Sequence, residues 1–252
     1  MFSRIGIIGD VHAQHNRLQA GLEWLESLSV DAIVCTGDIA DGCGDIDIAC
    51  QLLKQYQVVT VRGNHDRWLL DDRVRHVEHA HFRDQVSSTT EAFLESLPIT
   101  SRIPTVSGDL LLCHGVLEND LGKIWPGSQN TQPMRSADLD CLLADPCSSP
   151  RYLVNGHMHF RTLVDFPSCQ IINAGTLKGK FPGVTLLDAA NQTLVSYDCI
   201  PTCASSDAAT YAFLQAQTFA LKPGHERRVW TDSAAFDGIW EPVTLHCRKA
   251  TA

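Results

Sequence analysis

A chain of 252 residues, 44% hydrophobic and 19% charged, carries enough apolar material for a packed core, which excludes a disordered or fibrous protein. Its net charge of −9 opposes binding along a nucleic-acid backbone, where clustered Lys and Arg are needed. An acidic balance does not exclude a phosphorylated ligand, because bound cations can invert the field of a site.

The elements alternate through the first third. Ile5–Ile8 reads as a strand, Asn16–Leu28 as a helix, Ala32–Cys35 as a strand, Ile46–Gln55 as a helix and Val58–Val61 as a strand. Leu18, Leu22, Leu25 and Leu28 supply the apolar face of the first helix. Strand, loop and helix in repetition imply right-handed crossovers and a mostly parallel sheet. From Trp68 to about Arg102 the pattern is less regular, with a helix expected at Thr89–Ser96 before Leu97-Pro98. The second half is β-rich, with strands expected at Leu110–Cys113, Tyr152–Val154, Gln170–Ile172, Val184–Leu187 and Leu194–Tyr197. Tyr211–Leu221 is expected to be a helix, and Trp230, Phe236 and Trp240 to pack the tail onto the main body. The division expected is one domain over 1–200 and a C-terminal appendage over 201–252.

Arg4-Ile5-Gly6-Ile7-Ile8 is too short for a signal-peptide core or a membrane span, so a cytoplasmic location without a membrane partner is expected. Ten cysteines are scattered without a C-x-x-C pair, with Cys199 and Cys203 coming nearest. Those in apolar runs, such as Cys35 and Cys113, are expected to be reduced and buried.

Five segments carry the chemistry: Gly9-Asp10-Val11-His12, Gly37-Asp38-Ile39-Ala40-Asp41, Gly63-Asn64-His65-Asp66, His114-Gly115 and Gly156-His157-Met158-His159. Each follows an expected strand, where open α/β sheets bind ligands. Asp10 and His12 sit at alternate positions, so both can face one way. Asp38 can bridge two cations through its two oxygens, and Asn64 adds a neutral oxygen that limits negative charge. His114, His157 and His159 supply imidazoles. This mixed nitrogen and oxygen set suits Mn, Fe, Zn or Ni better than Ca.

The order D-x-H, G-D-x-x-D, G-N-H-D, a lone His and G-H-x-H resembles the calcineurin-like metallophosphoesterase superfamily over about residues 4–198. The resemblance implies a four-layer α/β sandwich of two mixed β-sheets flanked by helices. It implies two divalent metal ions, manganese first, with Asp10, His12 and His159 on one and Asn64, His114 and His157 on the other. Asp38 would bridge them, and a hydroxide held between cations about 3.5–4 Å apart would attack phosphorus. His65 would protonate the leaving oxygen or steady the phosphate, oriented by Asp41. Asp66 is read as a turn or supporting residue.

The expected activity is hydrolysis of a phosphodiester or phosphomonoester of a small, nucleotide-like substrate, with dinucleoside polyphosphates next. Gly42-Cys43 replaces the Arg-Gly that follows this motif in Ser/Thr protein phosphatases, which argues against that branch and for the small bacterial and archaeal phosphoesterases. A non-catalytic scaffold of the same fold is the remaining alternative, opposed by the presence of His65. Asn173-Ala174-Gly175-Thr176 resembles a turn of the small enzymes at two of four positions. Arg67, Lys178 and Lys180 are further candidates for phosphate contact. His76, His79 and His81 are read as a charged, solvated helix with Arg73, Arg75 and Glu78 rather than a second metal site. Asn119-Asp120 and Trp125-Pro126-Gly127 are read as a substrate-side loop. Oligomeric state has no signal in the sequence.

Overall fold

The computed structural model describes residues 1–126, 132–145, 147, 149–202, 210–221, 227–236 and 243–245. In chain order the strands are β1 (Arg4–Ile8), β2 (Ala32–Cys35), β3 (Val59–Thr60), β4 (Thr100–Thr105), β5 (Gly108–Cys113) and β6 (Tyr152–Asn155). They continue with β7 (Arg161–Asp165), β8 (Gln170–Ala174), β9 (Gly183–Asp188), β10 (Thr193–Pro201), β11 (Tyr211–Ala220) and β12 (Val243–Thr244). The helices are α1 (His15–Ser27), α2 (Ile46–Gln55), α3 (Asn64–Leu70), α4 (Ser88–Ser96) and α5 (Ala137–Ala144).

Two six-stranded mixed sheets result, ordered β11-β10-β9-β1-β2-β3 and β12-β7-β8-β6-β5-β4. Strands β1, β2 and β3 run parallel in the first sheet, as β5, β6 and β8 do in the second. Alternation along each strand sends apolar side chains to both faces. Ile5, Ile7, Val34, Leu112, Tyr152, Val154 and Ile172 fill the space between the sheets. Ile8, Leu18, Leu22, Leu25 and Leu53 join the outer face of the first sheet to α1 and α2. Leu139, Leu153, Ile171, Trp230 and Phe236 form the opposite outer layer with α5. Helices thus flank both sheets, giving the expected sandwich. Each isoleucine or leucine buried this way is worth about 1.5–3 kcal/mol.

Several expectations are corrected. Tyr211–Leu221 is not a helix: β11 pairs antiparallel with β10 from Pro201↔Tyr211 to Thr193↔Ala220, with an irregularity at Ser196/Tyr197. Its tyrosine, phenylalanines and threonine fit a half-covered strand, and the expected helix failed because the neighbouring β10 edge offers a ladder. Residues beyond 200 therefore extend both sheets, β11 at one edge and β12 at another, antiparallel to β7. Trp230 and Phe236 are buried as expected, whereas Trp240 lies outside the described residues.

Strand β4, with Pro104 on a sheet edge, had no signal in the sequence, nor had α5 or β7. The segment 71–82 is a run of turns rather than a charged helix. Among the described residues no helix is long and apolar enough to cross a membrane. The eight described cysteines are free, and five of them (Cys35, Cys50, Cys113, Cys169 and Cys199) are buried.

Candidate metal centre

The carboxyl ends of β1, β2, β5 and β6 converge, and the loops leaving them carry the nominated residues. Asp10 follows β1, Asp38 follows β2, Asn64 opens α3 after β3, His114 follows β5, and His157 and His159 follow β6. The loops turn so abruptly that His12, Asp38, Asp41, His157 and His159 all take positive φ, between 45° and 65°. Such backbone is uncommon outside glycine and persists only where surrounding contacts hold it. Tight approach is also built in: a Cβ on Gly63 would lie 2.2 Å from Asp38 Oδ1, and one on Gly156 2.1 Å from Asp10 Oδ1.

Ligand-type atoms gather in two groups that share one residue. Asp10, His12, Asp38 and His159 form the first and Asp38, His114 and His157 the second, with all donor atoms of a group within 4.8 Å. His12 Nε2 stands 2.9 Å from His159 Nε2, which is 3.3 Å from Asp10 Oδ2. In the second group Asn64 Oδ1 lies 2.9 Å from both His114 Nε2 and His157 Nδ1, and His114 Nε2 is 3.3 Å from Asp38 Oδ2. His157 therefore faces inward through Nδ1, whereas His12, His114 and His159 use Nε2.

Backbone contacts fix these side chains from outside. His12 Nδ1 donates to the carbonyls of Ala40 (3.1 Å) and Asp41 (2.9 Å), and His114 Nδ1 to that of Thr36 (2.8 Å). A neutral imidazole held this way turns its Nε2 lone pair inward, as metal-bound histidines do. Asp10 accepts from Thr36 Oγ1 at 3.0 Å and from the His157 amide at 2.9 Å. Asp66 ties two of the loops together, accepting from the amides of Ile39, Ala40 and Gly63, so it supports rather than ligates. The turn at Asn173–Thr176 fastens Asp10 from the other sheet: Asp10 donates its amide to Gly175 O at 3.0 Å, and Thr176 Oγ1 donates to Asp10 O at 2.9 Å.

The electrostatics point to a cation. Burial opposes charge on His114, but the carboxylates of Asp38 and Asp10 prevail and raise it to about 10. His157, half-buried and next to His114, is lowered to about 4 by partial burial and by His114, with Lys123 adding to the repulsion. Asp38 is held well below the ordinary carboxylate range: burial opposes this, and the neighbouring His114, His12 and His65 outweigh it. A field that draws positive charge into this buried cluster is one that a divalent cation would satisfy, and the donor set fits such an ion.

His65 stands beside these groups rather than among them. Its Nδ1 is 2.7 Å from Asp41 Oδ2, and its Nε2 reaches to 4.0 Å of Asp38 Oδ2. Burial would lower its pKa, but the Asp41 hydrogen bond and the Asp38 charge raise it. Trp68 covers the imidazole with ring centroids 4.8 Å apart.

The sequence reading missed what holds Asp41. Arg75 grips both its oxygens, Nη1 to Oδ1 at 2.9 Å and Nη2 to Oδ2 at 3.0 Å. The His81 amide adds a bond of 3.0 Å to Oδ1, and Asp41 in turn donates its own amide to His81 Nδ1. Arg75 and His81 had been placed on a solvated helix; the crowding of His and Arg in 73–81 was the available signal. His76 and His79 are exposed, away from this contact. Arg67 is not free for phosphate, because Asp120 takes its Nε at 2.6 Å and its Nη2 at 3.0 Å. Lys180 lies over the Phe181 ring at 5.3 Å.

Comparisons with known proteins agree with this geometry. A family model, the calcineurin-like phosphoesterase superfamily domain, matches residues 4–193. A metallophosphoesterase from Sphaerobacter thermophilus has a TM-score of 0.58 at 22% identity, covering 77% of this chain and 87% of that one. A hypothetical protein from Pyrococcus horikoshii OT3 gives 0.60 at 13% identity, with 77% and 87% covered. An archaeal phosphodiesterase gives 0.50 at 14% identity, with 77% and 99% covered. At these identities the likeness is one of fold. Comparison with curated protein sequences returns no match. With the family model spanning most of the chain and both sheets assembling the same motif segments, this protein belongs to the calcineurin-like phosphoesterase superfamily.

Proposed function

We propose that the chain is a dinuclear metal-dependent phosphoesterase, hydrolysing a phosphodiester or phosphomonoester of a small, nucleotide-like substrate. The observation that carries this reading is the sharing of Asp38 between two ligand groups, with the His65–Asp41 pair immediately beside it. Asp10, His12, Asp38 and His159 would hold one divalent ion, and Asp38, Asn64, His114 and His157 the other. When bound, such a pair supplies Lewis acidity and activates water at neutral pH. Manganese is the first choice, with iron, zinc or nickel accepted by the same donors.

The chain's own residues supply the rest. Asp41 holds His65 at Nδ1, so Nε2 is the atom that carries a proton toward a leaving oxygen. Asn64 contributes a neutral oxygen, which keeps the centre approachable for an anionic phosphate. A protein-phosphatase reading is opposed at Gly42, where a Cβ would lie 1.9 Å from His12 O and no arginine side chain can start. A scaffold without turnover is opposed by the intact His65–Asp41 contact. The acidic balance of −9 favours a small substrate over long nucleic acid.

Purified protein with Mn²⁺ should release p-nitrophenolate from bis-p-nitrophenyl phosphate, p-nitrophenyl phosphate or both. No metal-dependent release from either would sink the enzyme reading. Metal analysis at saturation should find two ions per chain, and one would refute the dinuclear arrangement.

A further inference from the structure

An exposed phenylalanine alone needs no explanation. Phe160, 46% exposed, directly follows His159 and forms a tilted ring contact with Trp125, centroids 5.9 Å apart. Trp125 is held by an isolated antiparallel bridge to Met134, whose amide donates to Trp125 O at 2.8 Å. Its indole Nε1 is buried with no acceptor among the described residues, so the indole meets solvent through its ring rather than its N–H. Lys123, two residues earlier, is close enough to His157 for its charge to be felt there. The same loop is braced at its other end by the Arg67–Asp120 pair. Two aromatics and a cation therefore border the centre on the His157 and His159 side. The His12 ring intervenes toward His65, with centroids 4.8 Å from His159 and 4.9 Å from His65.

We propose that Phe160 and Trp125 form an aromatic wall that stacks against a planar base, so that the preferred substrate is a nucleotide diester rather than an ester of a simple alcohol. This rests on the phosphoesterase reading above. His65 marks the side of the leaving oxygen, and Phe160 lies across the His12 ring from it, where a base carried by the retained ester would have an aromatic surface to meet. A base has a π-face for the wall, while Lys123 complements phosphate charge. Stacking of a base on an aromatic side chain is sequence-tolerant and contributes about 5- to 150-fold in affinity.

The test compares two diesters with one leaving group, thymidine 5′-(p-nitrophenyl phosphate) and methyl p-nitrophenyl phosphate, with Mn²⁺ present. The expected wild-type preference in kcat/KM for the nucleoside diester is about tenfold or more. In Phe160→Ala, Phe160→Leu and Trp125→Ala that ratio should fall about fivefold or more, chiefly through KM. Bound-metal content measured on each variant establishes that the fold is kept, and Phe160→Leu, at an exposed position, retains bulk without a ring. A wild-type ratio near one overturns the inference, as does an equal loss on both substrates in the variants. Turnover with a ratio near one leaves the phosphoesterase reading standing; no turnover of either ester removes that reading and the inference with it.

Discussion

Four donors converge on Asp41: His65 Nδ1, both Nη atoms of Arg75 and the His81 amide. If Nε2 of His65 delivers the proton, His65→Ala should keep its metals and lose about 10²–10⁴-fold in kcat. The loss should be greater for alkyl leaving groups than for p-nitrophenolate, which departs without a proton. Arg75→Ala should cost about 10- to 100-fold with the same leaving-group dependence, because a loosened Asp41 lets His65 wander. Arg75→Lys should restore little, since an ammonium cannot match two oxygens at once. Equal losses for all leaving groups would refute both assignments.

The same contacts predict an acid response. Burial pushes the Asp41 pKa up, but the hydrogen bonds from His65, Arg75 and the His81 amide prevail and hold it below its ordinary value. A depressed folded pKa means that the unfolded chain binds the proton first as pH falls. The stability from Asp41 is therefore complete above about pH 4 and drains away as pH drops through the folded value. Arg75→Ala should move the acid-unfolding midpoint, followed by circular dichroism, to higher pH; an unmoved midpoint would show that the ion pair does not stabilise the fold. The dyad was implied by the family resemblance, since Asp41 and His65 each end or sit in one of its motif segments although 24 positions separate them. Arg75 was not, because it belongs to none of those segments and only tertiary folding brings it to Asp41.

Among the elements, the loops after the parallel strands carry the strain and the chemistry. Gly156 shows how little room they have: a Cβ there would meet Asp10 Oδ1 at 2.1 Å and Thr36 Oγ1 at 2.5 Å. Gly156→Ala should displace Asp10 and weaken binding of the ion proposed for Asp10, His12 and His159 about 10- to 100-fold. Calorimetric metal titration of the folded variant checks this, and two unchanged affinities would contradict the assigned ligand groups. Helices α1 and α2 and most strands were legible from periodicity, since one buried face imposes it. Strand β11 was not, because whether a half-exposed segment becomes a strand depends on the edge beside it.

For the molecule as a whole, Arg161 ties one sheet to the other. It rises from β7, is only 1% exposed, donates to Tyr197 O at 2.9 Å and pairs with Asp198, both on β10. Removing a buried cation leaves its partners without a counterpart, so Arg161→Ala should cost about 3 kcal/mol. The measurement is the urea midpoint. A shift of less than about 0.5 kcal/mol, typical of surface substitutions, would mean that the tie is incidental.

The sequence alone nominated the candidate donors, with Asp38 as the expected bridge, and set the two-metal expectation and the alternation that builds the first sheet, because these depend on short motifs, the family resemblance they carry and local periodicity. Only the tertiary structure decided that Arg75 serves Asp41, that Arg67 is occupied by Asp120 and that the tail completes both sheets. Those outcomes depend on contacts between residues distant in the chain, and no local pattern encodes a partner that folding supplies.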